Sequence, residues 1–334
     1  MSTGEKKVVP MEHKPFFWII DNEWPDYSVE TALLRKAFPD CRIECSGVPF
    51  EDDLERFGAQ ADVVLAQISA DMSAGVIARL DCCRGIAVFG SGYNNVDVAA
   101  ARARGIPVTN VNGYCSEDIA DYVLAVIFHY YKKISHFSAH IGDGCWGAEA
   151  VDAPIHRLNR QTLLLMGFGY IGSVTARRAA ALGMKVLVYD PYQPEEKIRA
   201  CGAEPVTLDE GLRCADYVSV HVRLTELTQG LINKDLLRKM KKTAILINVA
   251  RGALVKEDDL IAAVREGVIG GAVLDVVTEE PIRPDSPLLQ TENILVTPHI
   301  SYASEESLLD LRERAVNNAL AMYRGETPQD LIKC

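Results

Sequence analysis

Three side chains late in the chain are of the types that move a proton and hold an anion. Arg251 stands in Asn248-Val249-Ala250-Arg251-Gly252, Glu280 in Glu279-Glu280-Pro281, and His299 in Thr297-Pro298-His299-Ile300. A guanidinium is a planar fork that matches a carboxylate. An imidazole gives or takes a proton near neutral pH, because its reference pKa is about 6.5. A carboxylate beside it favours the imidazolium and fixes the tautomer. Taken singly, each has a plain structural reading: an Arg in a turn, an acid before a proline, a His in a loop. Taken together they meet the needs of 2-keto acid reduction: a cation for the carboxylate and carbonyl, a proton for the oxygen, and a hydride. The hydride must come from a cofactor.

A glycine loop supplies the place for one. Gly167-Phe168-Gly169-Tyr170-Ile171-Gly172 follows the apolar run at residues 162–166 and opens a helical pattern at 171–182, with Ile171, Val174 and Leu182 inward and Arg177 and Arg178 outward. Gly167 permits a tight turn, Gly169 lets backbone approach a pyrophosphate, and Gly172 lets helix and strand pack closely. The helix N-terminus, with free N–H groups and the positive end of the dipole, favours the diphosphate. At the end of the next strand comes Asp190, followed by Pro191 and Tyr192. A carboxylate there accepts from a ribose diol and repels a 2′-phosphate, and no adjacent cation holds one, so the pattern points to NAD rather than NADP. A glycine turn beside a surface acid is the structural alternative, and the full strand–loop–helix–strand–acid order argues against it.

The elements that must position these groups alternate. Apolar strands are expected at residues 16–21, 42–46, 62–66, 85–89 and 107–110, with helices at 28–37, 51–57 and 96–104. A long helix is expected at 117–131, with Ser116 as its N-cap and acids in its first turn. After an irregular stretch at 142–157, a loop or an exchanged arm, strands are expected at 162–166, 185–189, 204–206, 217–221, 243–248, 272–276 and 294–297. Helices are expected between them at 171–182, 209–214, 234–240 and 257–266, and a last one at 305–324. Alternating β and α implies parallel sheets, and ligands bind such sheets at the carboxyl ends of the strands, where the glycine loop, Asp190, His221, Arg251, Asp275 and His299 all fall. A chain of 334 residues exceeds one ordinary core. The expected class is therefore α/β, two doubly wound parallel-sheet domains. The helix after Ser116 leads into the second, and the last helix crosses back to the first. Residues 1–115 with 306–334 form the first domain and 116–305 the cofactor domain; the first nine or so residues are polar and expected to fray.

The bulk numbers exclude other classes. A formal net charge of -11 argues against nucleic acid or an anionic membrane as partner, and no apolar run is long enough for a signal or membrane segment. The 9 cysteines form no C-x-x-C pair, which points to a reducing cytoplasm rather than a disulfide framework or zinc knuckle. Cys115 reads as a small loop residue, since no activating base is near it in sequence. His136 and His140 lie one helical turn apart but lack a third ligand, so no metal site is expected.

These motifs, in this order and spacing from about Asp62 to Ala303, resemble those of D-isomer-specific 2-hydroxyacid dehydrogenases, most closely from Leu158 onward. The resemblance implies a flavodoxin-like substrate domain and a Rossmann NAD-binding domain with the active site between them, and a homodimer joined through the cofactor domain. It implies that Arg251 is the substrate arginine and that Glu280 and His299 are the acid/base pair. Tyr170 and Ile171 would meet the pyrophosphate, and Asp190 the adenosine ribose. His221 and Thr228 would line the cofactor, Val249, Ala250 and Asp275 would flank the nicotinamide, and Ser91 and Gly92 would hold the substrate carboxylate. Gln67 with Ile68 would face the substrate side chain.

The departures from the family pattern are Arg223 for a usual Pro, Leu164 for a usual Gly, Asn94 for a frequent Asp and Asp121 for a frequent Glu. Gln67 stands where phosphoglycerate dehydrogenases of this family tend to carry Arg, which, with no regulatory extension expected, disfavours a phosphorylated substrate. The resulting expectation is a reversible NAD-linked D-2-hydroxyacid dehydrogenase acting on a small glyoxylate-, hydroxypyruvate- or pyruvate-like acid. The alternative is an NAD(H)-sensing interaction protein resembling C-terminal-binding-protein corepressors, whose carboxylate loop looks like Gly90-Ser91-Gly92-Tyr93-Asn94-Asn95. Within enzymes, a formate or phosphonate dehydrogenase is a further rival.

Overall fold

The computed structural model describes residues 13–144, 146–150 and 154–333. The polar N-terminal stretch expected to fray falls outside the described residues, as do Cys145, Cys334 and part of the irregular 142–157 stretch. The chain divides into two compact units. One comprises residues up to Tyr114 together with those from Glu305 onward, and the other is Cys115–Ser304.

The first unit holds β1 (Phe16–Ile20), β2 (Arg42–Ser46), β3 (Val63–Gln67), β4 (Ile86–Phe89) and β5 (Val108–Thr109) in the order β2-β1-β3-β4-β5. Every pairing is parallel. Side chains alternate across a strand, so β1 divides its residues between two cores. Phe16, Trp18 and Ile20 pack with Val64, Val88, Leu54 and Phe57. Phe17 and Ile19 pack on the other face with Leu65, Phe89 and, from the Glu305–Arg324 helix, Leu311, Ala315, Val316 and Ala319. Burial on both faces is why these strands read as continuous apolar runs. Arg312 clamps that returning helix to the Ser28–Ala37 helix through two 2.6 Å bonds to Glu30, whose side chain is fully buried.

The second unit holds β6 (Thr162–Met166), β7 (Lys185–Tyr189), β8 (Glu204–Pro205), β9 (Tyr217–Val220), β10 (Ile245–Asn248), β11 (Gly271–Leu274) and β12 (Ile294–Val296) in the order β12-β11-β10-β9-β6-β7-β8. All these pairings are parallel as well. The order reverses between β6 and β9, which puts the crevice of an open α/β sheet over the loops leaving those two strands. Leu164, where the family pattern favours Gly, is accommodated by Gly211: a Cβ there would lie 2.6 Å from Leu164 Cδ1.

The α/β class is as expected, and several local readings need correction. The strands expected at 243–248 and 107–110 shorten to β10 and β5, and β3 starts and ends one residue later than expected. Short helices at Ala74–Ile77, Ile134–Ala139 and Glu195–Ala200 were not anticipated. Ser116 is the first helical residue of Ser116–Lys132 rather than its N-cap; Cys115 takes that place, without a side-chain cap bond, and is buried. Leu182 is 42% exposed rather than inward, because the helix closes at Ala181 and Gly183 turns the chain at φ 83°. Arg178 does not simply face solvent: it pairs with Glu117 and, at 2.6 Å, with Asp121 on the Ser116–Lys132 helix. Among the described residues no helix is long and apolar enough to cross a membrane.

Candidate active site

The glycine loop is built as its spacing implies. Gly167 has φ 101°, and a Cβ there would sit 2.7 Å from the His221 carbonyl oxygen; one on Gly172 would sit 2.4 Å from the Gly167 oxygen. Backbone crowding therefore demands glycine at both. At Gly169 a Cβ would meet nothing within 4 Å, so open space lies over the N-terminus of the Tyr170–Ala181 helix, whose first N–H groups have no intrahelical acceptor. Tyr170 is 68% exposed, and Ile171 is half-buried behind it.

Asp190 does more than end β7. Its Oδ2 accepts from Phe168 N–H at 2.7 Å and its Oδ1 from Tyr192 N–H at 2.9 Å, tying the glycine loop to the next strand. A carboxylate has about four acceptor sites, so two remain for a ribose diol. His221, after β9, has Nε2 2.9 Å from Ser219 Oγ. Its Nδ1 is enclosed without a partner, and burial pushes the imidazole down to about 4, so the ring is neutral at neutral pH. An open diphosphate cradle, a diol acceptor and an orphaned ring nitrogen fit an NAD molecule. Thr228 serves the loop itself, donating to the Arg223 carbonyl at 2.7 Å and accepting from Thr225 N–H at 2.8 Å. Arg223 is exposed on that loop.

The catalytic candidates come together at the carboxyl ends of β10, β11 and β12. Asn248 ends β10 fully buried. Its side chain accepts from Ala250 N–H at 3.1 Å and donates to the Arg251 carbonyl at 2.9 Å, folding the turn that presents Arg251. Val249 is buried in that turn. The Arg251 guanidinium is partly buried and donates from Nη1 to the Ala250 carbonyl at 2.6 Å. Gly252 then presses against the loop carrying Glu280: a Cβ on it would lie 1.9 Å from the Val277 carbonyl carbon and 2.0 Å from its oxygen. Gly252→Ala is therefore expected to lower folding stability by roughly 1–3 kcal/mol through overpacking, measured by urea denaturation. A midpoint equal to the wild type would show that the 277–280 loop moves aside freely.

Glu280 Oε1 accepts from Val277 N–H at 3.0 Å, and its Oε2 lies 2.8 Å from His299 Nδ1. A carboxylate only accepts, so Nδ1 carries a hydrogen and Nε2 is the nitrogen left to exchange a proton. Burial pushes the Glu280 carboxyl up, but the bond and charge of His299, the Val277 N–H and the Arg251 guanidinium outweigh it and hold the carboxyl below its ordinary value. The Arg251 guanidinium is the smallest of these influences.

His299 has φ 54°, uncommon for a residue with a Cβ, and its turn is held by Asp275. The Asp275 backbone oxygen accepts from His299 N–H at 2.9 Å. Its buried carboxylate accepts from Thr297 Oγ1 at 2.6 Å, Ile300 N–H at 3.0 Å and Ser301 N–H at 2.9 Å. Most of the acceptor capacity of Asp275, expected beside a nicotinamide, is thus taken up by the histidine loop. Tyr122 Oη lies 2.5 Å from Thr297 Oγ1. Asn248, Thr297 and Tyr122 escaped sequence reading. Only Asn248 and Thr297 carried any signal, as polar residues flanking candidate groups.

In the first unit, Gln67 ends β3 buried, with Oε1 accepting from Ile68 N–H at 2.9 Å. Since an N–H can only donate, the Gln67 amide nitrogen faces away from Ile68. Ser91 spends its hydroxyl on the Val111 carbonyl at 2.9 Å, and its own carbonyl accepts from Asn110 Nδ2 at 2.7 Å. That shapes the loop containing Gly92 and leaves Asn94 exposed.

The chain is similar to known proteins over most of its length. The sequence model of the D-isomer specific 2-hydroxyacid dehydrogenase NAD binding domain matches residues 124–301. A glyoxylate reductase from Korarchaeum cryptofilum is 37% identical over 81% of this chain and 82% of its own. A hydroxypyruvate reductase from Blautia hydrogenotrophica is 36% identical over 82% and 86%. Among solved structures, D-lactate dehydrogenase from Aquifex aeolicus, complexed with NAD and lactic acid, superposes with a TM-score of 0.82 at 25% identity over 94% of this chain and 98% of that one. The chain belongs to the D-isomer specific 2-hydroxyacid dehydrogenase family.

Proposed function

We infer that the protein is an NAD-dependent oxidoreductase that reversibly reduces a small 2-keto acid to the D-2-hydroxy acid, with glyoxylate and hydroxypyruvate as the leading substrates. The observation that carries this reading is the 2.8 Å His299–Glu280 pair, at the same carboxyl end of the sheet as Arg251 and the glycine loop. Support for the substrate class comes from relatives named glyoxylate reductase, hydroxypyruvate reductase and glycerate dehydrogenase.

In this reading Arg251 holds the substrate carboxylate and polarises the carbonyl through N–H groups not used on Ala250. His299, as imidazolium, donates its Nε2 proton to the carbonyl oxygen while Glu280 keeps Nδ1 engaged; in the reverse direction the neutral ring takes that proton back. Gly167, Gly169, Tyr170, Ile171 and Gly172 hold the diphosphate, Asp190 the ribose, His221 and Thr228 the adjacent wall, and Val249, Ala250 and Asp275 the nicotinamide end. NAD, when bound, supplies or accepts the hydride. Gln67, Ser91 and Gly92 contact the substrate, the last two through backbone N–H groups, since the Ser91 hydroxyl is used on Val111.

The homodimer formed through the NAD-binding domain is part of this proposal. Its support is a run of exposed apolar side chains, Ile134 at 64%, Ile141 at 57% and Trp146 at 78%, more than a solvated segment ordinarily shows. A cytoplasmic location rests on the free cysteines among the described residues.

The test is NADH oxidation against glyoxylate, hydroxypyruvate, pyruvate, 2-ketobutyrate, phenylpyruvate and phosphohydroxypyruvate, repeated with NADPH. Turnover of a small acid with NADH preferred is expected. Silence across the panel with NADH binding intact would overturn the reductase reading, and a preference for NADPH would overturn the role of Asp190.

A further inference from the structure

The loop that carries His299 is anchored from a helix that carries none of the candidate catalytic residues. Thr297 has one hydroxyl proton and gives it to Asp275 at 2.6 Å. The 2.5 Å contact between Thr297 Oγ1 and Tyr122 Oη can then be a hydrogen bond only if the phenol donates. Burial first, and then the Asp275 charge, push the Tyr122 hydroxyl up against the opposing effect of Thr297, which keeps it a protonated donor. The resulting chain runs from Tyr122 through Thr297 to the Asp275 carboxylate. That carboxylate also takes the N–H groups of Ile300 and Ser301, and the backbone oxygen of the same residue takes that of His299.

We propose that Tyr122, on the Ser116–Lys132 helix, is a positioning residue for His299, acting through Thr297 and Asp275 to hold the left-handed turn in which the imidazole meets Glu280. The turn needs holding: a non-glycine residue at φ 54° is kept there by its surroundings rather than by its own preference. Polar side chains coupled in this way are worth more than their separate bonds. The helix also packs against the Tyr170–Ala181 helix through Arg178, so a single element supports both the cofactor loop and the acid/base loop.

The proposal rests on His299 being the proton donor, and the experiment separates the two. Tyr122→Phe, Thr297→Val, the double variant and Thr297→Ser are compared by single-turnover NADH oxidation with saturating glyoxylate, alongside NADH affinity by fluorescence and the thermal midpoint. Tyr122→Phe is expected to slow the transient by about fivefold, the size of one hydrogen bond, with NADH affinity and the KM for glyoxylate within twofold of wild type. Thr297→Val is expected to slow it further, and the double variant no further still, because Tyr122 acts only through Thr297. Thr297→Ser, which keeps the hydroxyl, is expected to recover most of the rate lost in the valine variant. A wild-type transient in Tyr122→Phe, strictly additive losses in the double variant, or a parallel loss of NADH affinity would each overturn the proposal. Full turnover in His299→Ala would instead overturn the assignment of the proton donor.

Discussion

His299→Ala is expected to lower kcat for keto-acid reduction by roughly 10²–10⁴, the usual contribution of a general acid, while NADH affinity stays close to that of the wild type. The glycine loop and Asp190 are held by bonds of their own, Phe168 and Tyr192 N–H to the Asp190 carboxylate, and none of these passes through the histidine. Loss confined to kcat would mark a group used in the transition state rather than in binding. A decrease of less than about tenfold would remove His299 from the role of proton donor. The pH behaviour has a definite sign. The Glu280 carboxyl lies below its ordinary value in the folded chain, so its contribution to stability is complete above the unfolded value and fades as pH falls through the lower, folded one. The Glu280 anion therefore persists beside His299 across the neutral range and into moderate acid.

Arg251→Ala is expected to reduce kcat/KM by about 10²–10³, the range for truncating one member of a desolvated charge pair. Both terms should suffer, since the same guanidinium binds the ground-state carboxylate and the developing charge on the oxygen. Arg251→Lys should recover only part of the loss, because an ammonium cannot reproduce the planar fork. The substitution carries a second signature. The Arg251 charge is one of the influences holding the Glu280 carboxyl low, so removing it should move the carboxylate titration of the acid/base pair upward. Intact turnover with glyoxylate in Arg251→Ala would show that another group holds the carboxylate.

The parts of this molecule that could be read directly are those decided locally. β1 and β3 show themselves because both faces are covered and the run from each strand's start must be apolar, with only the terminal Gln67 of β3 polar. The glycine loop shows itself because Gly167 and Gly172 face backbone at distances no Cβ tolerates. Arg251, Glu280 and His299 show themselves as chemistry placed at strand ends. What stayed hidden depends on distant partners. Nothing near Tyr122 in sequence points to Thr297, and nothing in Asp275 announces that its carboxylate serves the loop beyond β12. Arg178 looked like a solvated charge until the Ser116–Lys132 helix brought Glu117 and Asp121 to it. Leu182 fitted a helical stripe, yet the helix closes at Ala181 and leaves it on the surface.

The return of the Glu305–Arg324 helix to the first unit has a consequence for biosynthesis. Chains fold as they emerge from the ribosome, ordinarily with the N-terminal domain first. Here the first unit cannot complete its core early, because one face of its sheet, with Phe17, Ile19, Leu65 and Phe89, is covered by Leu311, Ala315, Val316 and Ala319, which are translated only after the whole interior unit. The interior unit, whose strands run from Thr162 to Val296, has its whole sheet available sooner and gains structure ahead of the unit that precedes it. Throughout that interval an apolar sheet face waits uncovered on the nascent chain, the kind of surface that holdase chaperones bind.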